Sequence, residues 1–339
     1  MNNKKLKICD VTVHPGEEAS LSLPLPEYYS CAPLYMPIRI IHGKKKGPCL
    51  LVFSTLNGNE LNGIEIVNRI MEGTKASQIS GTIIAIPVLN VYGLTNFPKV
   101  LPSGGTLNGC FPGTKSGTYG ERFAHVFTQE ILKKADYCIE LQTGKLNHNI
   151  LPQVYCDLEN LATRKLAKAF NAPVIMNITL QDSSLRRAAE SLHIPLLAYQ
   201  AGEAMRFDQN AIEVGFNGVK NIMRYIDMLP KAPIEEVRSI ISQDEEWVVA
   251  HKGGILHTDS SLGQVIKKGQ VIGTISDPFG AGESEKLKSP KNGIIVGINT
   301  TPLIHEGLSI FKISSFIDYN LAETTIEEWD KKQEDSFLS

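Results

Sequence analysis

The turn Asn57–Gly58–Asn59–Glu60 sets an amide and a carboxylate close together in the chain. A carboxylate there can ligate a metal or carry a proton, whereas amides only donate and accept hydrogen bonds. The turn follows the apolar run Leu51–Val52–Phe53, of the kind that makes a buried strand. Beyond it Ile64, Val67 and Ile70 recur at helical spacing. A polar turn between a buried strand and a helix is where α/β proteins place their sites, at the carboxyl ends of strands. The same residues also suit a plain turn, with Asn and Gly chosen for backbone reasons.

The elements that must hold this turn alternate along the chain. After a β-rich lead-in from Leu6 to Ile41, strands are expected at Leu50–Ser54, Gly81–Val88, Asp136–Gln142, Pro173–Met176 and Pro195–Tyr199. Helices are expected at Gly63–Met71, Glu121–Lys134, Leu161–Phe170, Ser184–Leu192 and Ala211–Leu229. This alternation implies an α/β fold, a mostly parallel sheet with helices on both faces. Residues Val91 to Thr118 have no clear period and read as a long loop, a length usually reserved for function or disorder.

Near Pro230–Pro233 the texture changes to short β-runs with glycine turns. Two stretches, from Gly253 and from Lys288, read as rough copies, which suggests a C-terminal all-β domain of hammerhead or barrel-like form. It has no lysine flanked like a biotinyl or lipoyl attachment site, so it reads as structural or oligomer-forming. The expected division is 1–232, 233–322 and a charged tail over 323–339, frayed from Glu327.

A formal net charge of −2 gives no reason to expect nucleic acid or an anionic membrane as partner. With no apolar run near 18 residues and no apolar stretch behind the basic N-terminus, neither a membrane span nor a signal peptide is expected. Cys9, Cys31, Cys49, Cys110, Cys138 and Cys156 are scattered without a paired spacing, which suits reduced thiols in a cytoplasmic protein. Among His148, Glu140, Glu203 and Cys110 no Ser/His/Asp or Cys/His set stands out. His148 reads as a loop residue and His125 as a helix residue.

Several blocks between residues 10 and 315 resemble the succinylglutamate desuccinylase/aspartoacylase family, zinc amidohydrolases related to the zinc carboxypeptidases. The first motif of that family reads His-Gly-(Asp/Asn)-Glu, with His and Glu as zinc ligands; Gly58, Asn59 and Glu60 match, and Asn57 stands at the His. In Pro87–Gly113 the residues Asn90, Gly93, Leu107, Asn108, Phe111, Pro112 and Gly113 fit the second block. Its substrate-holding arginines are replaced, by Gly105–Thr106 at an Arg-Asp pair and by Gly109; Lys99 and Arg122 are candidates to compensate. In Glu140–Leu141–Gln142–Thr143 the third ligand, His in the family, is Gln142. In Tyr199–Gln200–Ala201–Gly202–Glu203 the general-base Glu is Gln200, while Glu203 matches.

The resemblance implies a carboxypeptidase-like mixed sheet and a site at Asn57, Glu60, Asn108, Gln142, Gln200 and Glu203. A catalytic zinc needs three protein ligands and an open position, and amides are weak zinc donors. Without zinc the attacking water keeps a pKa of roughly 15.7 rather than about 7, and Gln200 has no basic site to take its proton. The expected reading is a zinc-free, non-catalytic member that binds a small polar ligand or a partner, with no cofactor. Two alternatives stand: a zinc-dependent hydrolase of N-acyl amino acids, and a homo-oligomeric scaffold with an idle pocket.

Overall fold

The computed structural model describes residues 3–27, 33–96, 100–178, 181–233, 239–280, 282–317 and 319–338. The lead-in supplies β1 (Leu6–Ile8), β2 (Val11–Val13), β3 (Glu18–Pro24) and β4 (Tyr35–His42). There follow β5 (Lys45–Ser54), α1 (Leu61–Glu72), β6 (Ser80–Ile86), α2 (Val91–Asn96), α3 (Tyr119–Glu130) and β7 (Tyr137–Gln142). Next come β8 (His148–Cys156), α4 (Leu161–Phe170), β9 (Val174–Asn177), α5 (Leu185–Ser191), β10 (Leu196–Gly202) and α6 (Gln209–Tyr225). The remaining strands are β11 (Ile240–Val249), β12 (Gly254–His257), β13 (Val265–Ile266), β14 (Val271–Ser276) and β15 (Glu285–Lys288). The chain then forms β16 (Gly293–Asn299), β17 (Leu303–Ile304), β18 (Ser309–Phe316) and α7 (Tyr319–Leu338).

One mixed sheet of 12 strands runs in the order β13-β16-β18-β11-β9-β8-β10-β7-β5-β6-β4-β3. Its centre, β6-β5-β7-β10, is parallel, and β8 runs antiparallel to β10. Alternation along β5 sorts the core into two layers. Leu50 and Val52 pack with α1, α4 and α6, while Leu51 and Phe53 pack with α3 and α5. Helices therefore cover both faces of the sheet, which buries apolar side chains on each.

The α6 helix approaches its neighbours through glycines. A Cβ at Gly218 would lie 2.1 Å from the ring of Phe170, which is buried and stacked on Tyr199 with centroids 5.1 Å apart. With Tyr199 behind it, that ring has no room to retreat. Gly218→Ala is expected to lower stability by roughly 1–3 kcal/mol by overpacking, read as a lower denaturation midpoint. An unchanged midpoint would show that α6 shifts freely.

One strand escapes the sequence pattern, and two expectations need correction. Strand β8 went unread in the sequence, because Pro152 interrupts it and its polar residues hide any period. The sheet tolerates the proline where the pairing of β8 with β10 breaks register, between Gln200 and Gly202. The tail is a helix, not frayed: Ala322, Ile326 and Trp329 recur at helical spacing and are buried with Val174, Met176 and Phe316. The C-terminal strands also do not stand apart from the α/β sheet. Strand β11 pairs in parallel with β9, and β16 pairs with β8, so the sheet continues across residue 232. A second sheet, β15-β14-β12-β17, lies over this extension and shares with it a core of Ile272, Ile275, Leu287, Ile295, Ile310 and Phe311.

The stretch Val91–Thr118 carries α2 and a short 3-10 turn at Asn108–Cys110, with Leu101, Leu107 and Phe111 buried. Thr118 and Glu121 then form a reciprocal cap at the start of α3. Cys138 and Cys156 are buried, Cys9, Cys49 and Cys110 are half-buried, and all five are free thiols; Cys31 lies outside the described residues. Among the described residues no helix is long and apolar enough to cross a membrane.

Candidate functional site

The parallel strands β5, β7 and β10 end side by side, so the turns that follow them converge. Phe53 pairs with Glu140 and Gln142 with Gln200, which sets the two glutamines next to each other at the carboxyl end of the sheet. Gln200 pairs on its other side with Gln153 of β8, extending the row to three glutamines. The first turn is pinned from two sides. Gly58 is left-handed and meets the backbone of Gly93, where a Cβ would come within 2.4 Å. Asn90 accepts from Gly93 N at 2.9 Å and donates to Leu56 O at 3.3 Å, which ties this loop to the next.

Glu60 is buried at 2% exposure, and Asn57 holds it twice. The Asn57 amide donates to Oε1 at 2.7 Å and its backbone N–H to Oε2 at 3.1 Å. Burial pushes the Glu60 carboxyl up to about 7, against the lowering effect of those two bonds; the nearby Glu140 raises it and Arg186 lowers it. The sign follows directly. The folded chain keeps this proton where the unfolded chain releases it, so stability falls as pH rises from about 4.5 to about 7. The expected loss is on the order of 3 kcal/mol. Glu60→Gln should flatten that part of the stability–pH curve, and an unaltered curve would refute this account.

A second network joins β7 to α5. Glu140, 1% exposed, accepts from Gln142 Nε2 at 2.5 Å and from Arg186 Nε at 3.0 Å. Asn108 caps the same helix, accepting from Leu185 N at 3.1 Å. A third network crosses into the C-terminal strands. Lys312 of β18 donates to the Tyr155 hydroxyl at 3.0 Å and pairs with Glu245 of β11 at 2.6 Å. Gln200 Nε2 donates to Thr143 O at 3.0 Å, and Gln153 Nε2 to Tyr155 OH at 3.0 Å. Burial pushes the Tyr155 hydroxyl far above its usual range, so it stays protonated and donates to Glu245 Oε2 at 3.3 Å.

The second and third networks border an open cavity of about 560 Å³. Its walls include Asn108, Gln142 and Gln200 of the expected site, together with Arg186, Lys312 and Glu245. Asn57 and Glu60 bind each other beside it and are not among its walls. Glu203 is not there either. Its carboxylate accepts from Asn147 N at 3.0 Å, Arg206 Nε at 3.2 Å and Thr300 Oγ1 at 3.1 Å, which staples the turn to the C-terminal region. Of the compensating cations, Lys99 lies outside the described residues and Arg122 is not a wall residue; the cations in the wall are Arg186 and Lys312. His148 stacks edge-on to Trp247 with ring centres 5.1 Å apart.

Sequence reasoning missed Arg186, Tyr155, Lys312 and Glu245. One signal was available: Lys312 interrupts the apolar run Ile310–Phe311–Lys312–Ile313, and a charge in a core strand needs a partner. Arg186 falls inside the helix expected at Ser184–Leu192, and no local pattern marks it out.

At the three positions matching the family's zinc ligands the chain offers two amides, Asn57 and Gln142, and one carboxylate, Glu60, a weak donor set for zinc, and Asn57 donates to both oxygens of that carboxylate. Among the described residues, no three His, Cys, Asp or Glu side chains converge as a metal site.

Residues 46–226 match the family model for the succinylglutamate desuccinylase/aspartoacylase catalytic domain. The chain belongs to this family. A curated relative, the N-alpha-acetyl-L-2,4-diaminobutyric acid deacetylase of Halomonas elongata, is 24% identical over 297 residues, covering 84% of this chain and 86% of that protein. The ectoine utilization protein EutE (DoeB) of Ruegeria pomeroyi, in its product-bound structure, superposes with a TM-score of 0.78 at 21% identity, covering 88% of this chain and 95% of that one. A succinylglutamate desuccinylase/aspartoacylase from Rhodobacter sphaeroides gives 0.78 at 19%, covering 88% and 96%. At these identities the superpositions establish the fold, the mixed α/β architecture of the succinylglutamate desuccinylase/aspartoacylase family with its β-rich C-terminal region.

Proposed function

We propose that this family member binds, without hydrolysing it, a small polar ligand that carries a carboxylate and an amide. The observation that carries this reading is the wall of the cavity at the ends of β7 and β10. Amides stand there at Gln142 and Gln200, and cations at Arg186 and Lys312. Arg186 spends its Nε on Glu140, which leaves its terminal nitrogens for a carboxylate in a two-pronged geometry. Glu245 and the glutamine row accept or donate to an amide. Gln153 Oε1, fully buried behind Gln200, has no protein partner among the described residues and suits a buried water.

Hydrolysis needs a group that takes a proton from water, and the amide of Gln200 has none to offer near neutral pH. Its Nε2 is turned to Thr143 O as a donor. The cavity can hold and orient a ligand.

A second reading is favoured by the relatives. The Halomonas elongata protein is named as a deacetylase of an N-acetylated diamino acid, and by analogy this chain would release acetate from such a substrate with zinc. Metal content separates the two. Protein purified without chelator or a histidine tag is expected to hold less than about a tenth of a zinc equivalent and to leave N-acetyl-2,4-diaminobutyrate intact. About one zinc per chain together with acetate release would establish the deacylase reading and refute the first.

A further inference from the structure

We infer that the ligand is an amphiphilic acid, whose apolar group enters a second cavity adjoining the polar one. This rests on the reading of the polar cavity as a ligand site. The second cavity, of about 410 Å³, lies between α5, the first turn of α4 and the start of β10. Tyr155, Ile178 and Arg186 line both cavities, so the two meet across these side chains.

The chemistry of the walls changes at that junction. On the polar side stand Asn108, Gln142, Gln200, Glu245 and Lys312. On the other side Ala162, Ile194, Pro195 and Leu196 form an apolar strip. Asp157, Asn160, Thr163, Glu190, Ser191 and His193 border it. The bordering Asn160, Thr163, Ser191, Glu190 and Asp157 are engaged locally, the first three in hydrogen bonds with nearby backbone. Glu190 pairs with Arg187, and Asp157 Oδ1 accepts from Glu159 N at 3.0 Å. Tyr155 marks the divide within one side chain. Its hydroxyl is bound by Gln153, Lys312 and Glu245, and the Lys312 ammonium lies 5.6 Å from the ring centroid, while the same side chain also lines the second cavity. Arg186 similarly sits where a carboxylate would bridge the halves. A ligand that filled the polar cavity alone would leave this apolar wall facing water, whereas an aliphatic or aromatic group on the acid would cover it.

The test is a chain-length series, N-acetylglycine against N-hexanoylglycine and N-decanoylglycine, titrated by calorimetry. Burial in the second cavity should tighten binding about threefold for each methylene, on the order of a hundredfold from acetyl to hexanoyl. Ala162→Trp and Ser191→Trp, at exposed helix positions on the wall of that cavity, should each reduce the hexanoyl-to-acetyl ratio to a few-fold. A flat series with N-acetylglycine still bound would overturn this inference and leave the polar pocket standing. A steep series that persists in both tryptophan variants would place the apolar group elsewhere and also overturn it. If no member of the series binds, the pocket reading fails and takes the inference with it.

Discussion

Asn57→His, Gln142→His and Gln200→Glu, combined in one chain, are expected to create a protein that takes up about one zinc ion. The scaffold for it is present. Strands β5, β7 and β10 are parallel neighbours, and Gln142 and Gln200 are already register partners at their carboxyl ends. The side chain of residue 57 reaches Glu60 Oε1 at 2.7 Å, so an imidazole placed there would stand beside a buried carboxylate. Two imidazoles and that carboxylate complete three protein ligands and leave a position for water. The gain in zinc affinity over the present donor set should exceed about a thousandfold, because imidazole nitrogen replaces weakly donating amide oxygen. Uptake should release protons, since a carboxyl raised to about 7 must ionise to ligate. The readouts are metal content and calorimetry. Either single histidine should gain little. A triple variant that folds but stays zinc-free would show that the turns no longer hold a metal geometry.

The second large effect lies at Arg186. Replacing it with alanine removes the cation from a carboxylate that is 1% exposed, and a buried charge left unpaired is costly. Arg186→Ala is expected to lower stability by about 3–5 kcal/mol. A fall of roughly 5–10 °C in the melting temperature should accompany it. Combining Arg186→Ala with Glu140→Leu should restore much of that loss, because both members of the pair leave together. The double-mutant cycle then isolates the coupling. A drop below about 1 kcal/mol for Arg186→Ala would mean that Glu140 takes up a proton or water at little cost. Arg186 also lines both cavities, so Arg186→Lys, which keeps the charge but not the fork, should weaken carboxylate binding while sparing most of the stability.

The residues legible in the sequence and those that were not divide by how locally each is determined. Alternation of apolar runs and helical spacings sufficed for β5, α1, β7, α4, β10 and α6, since each buries a face written in its own residues. The same local logic failed at β8. Its proline and polar residues make sense only between β10, β9 and β16, where a break in register receives them. It failed again at the tail, where charged residues outnumber the three apolar positions that seat α7.

Within the site, the sequence by itself determined which atoms are on offer. Asn57, Gln142 and Gln200 bring amides and Glu60 a carboxylate, and donor chemistry is a property of the residue wherever the fold places it. Membership of the family followed from motifs with the same independence. Tertiary structure alone decided which of these groups share a cavity and which other groups join them. Glu203 lies in the best-matched motif yet binds Thr300 and Asn147 away from the cavity wall. Lys312 reaches Tyr155 across 157 positions of chain, and Glu245 reaches it across 90. Those meetings depend on the continuation of one sheet from β9 into β11 and β18, a pairing of backbones that no local pattern of side chains encodes.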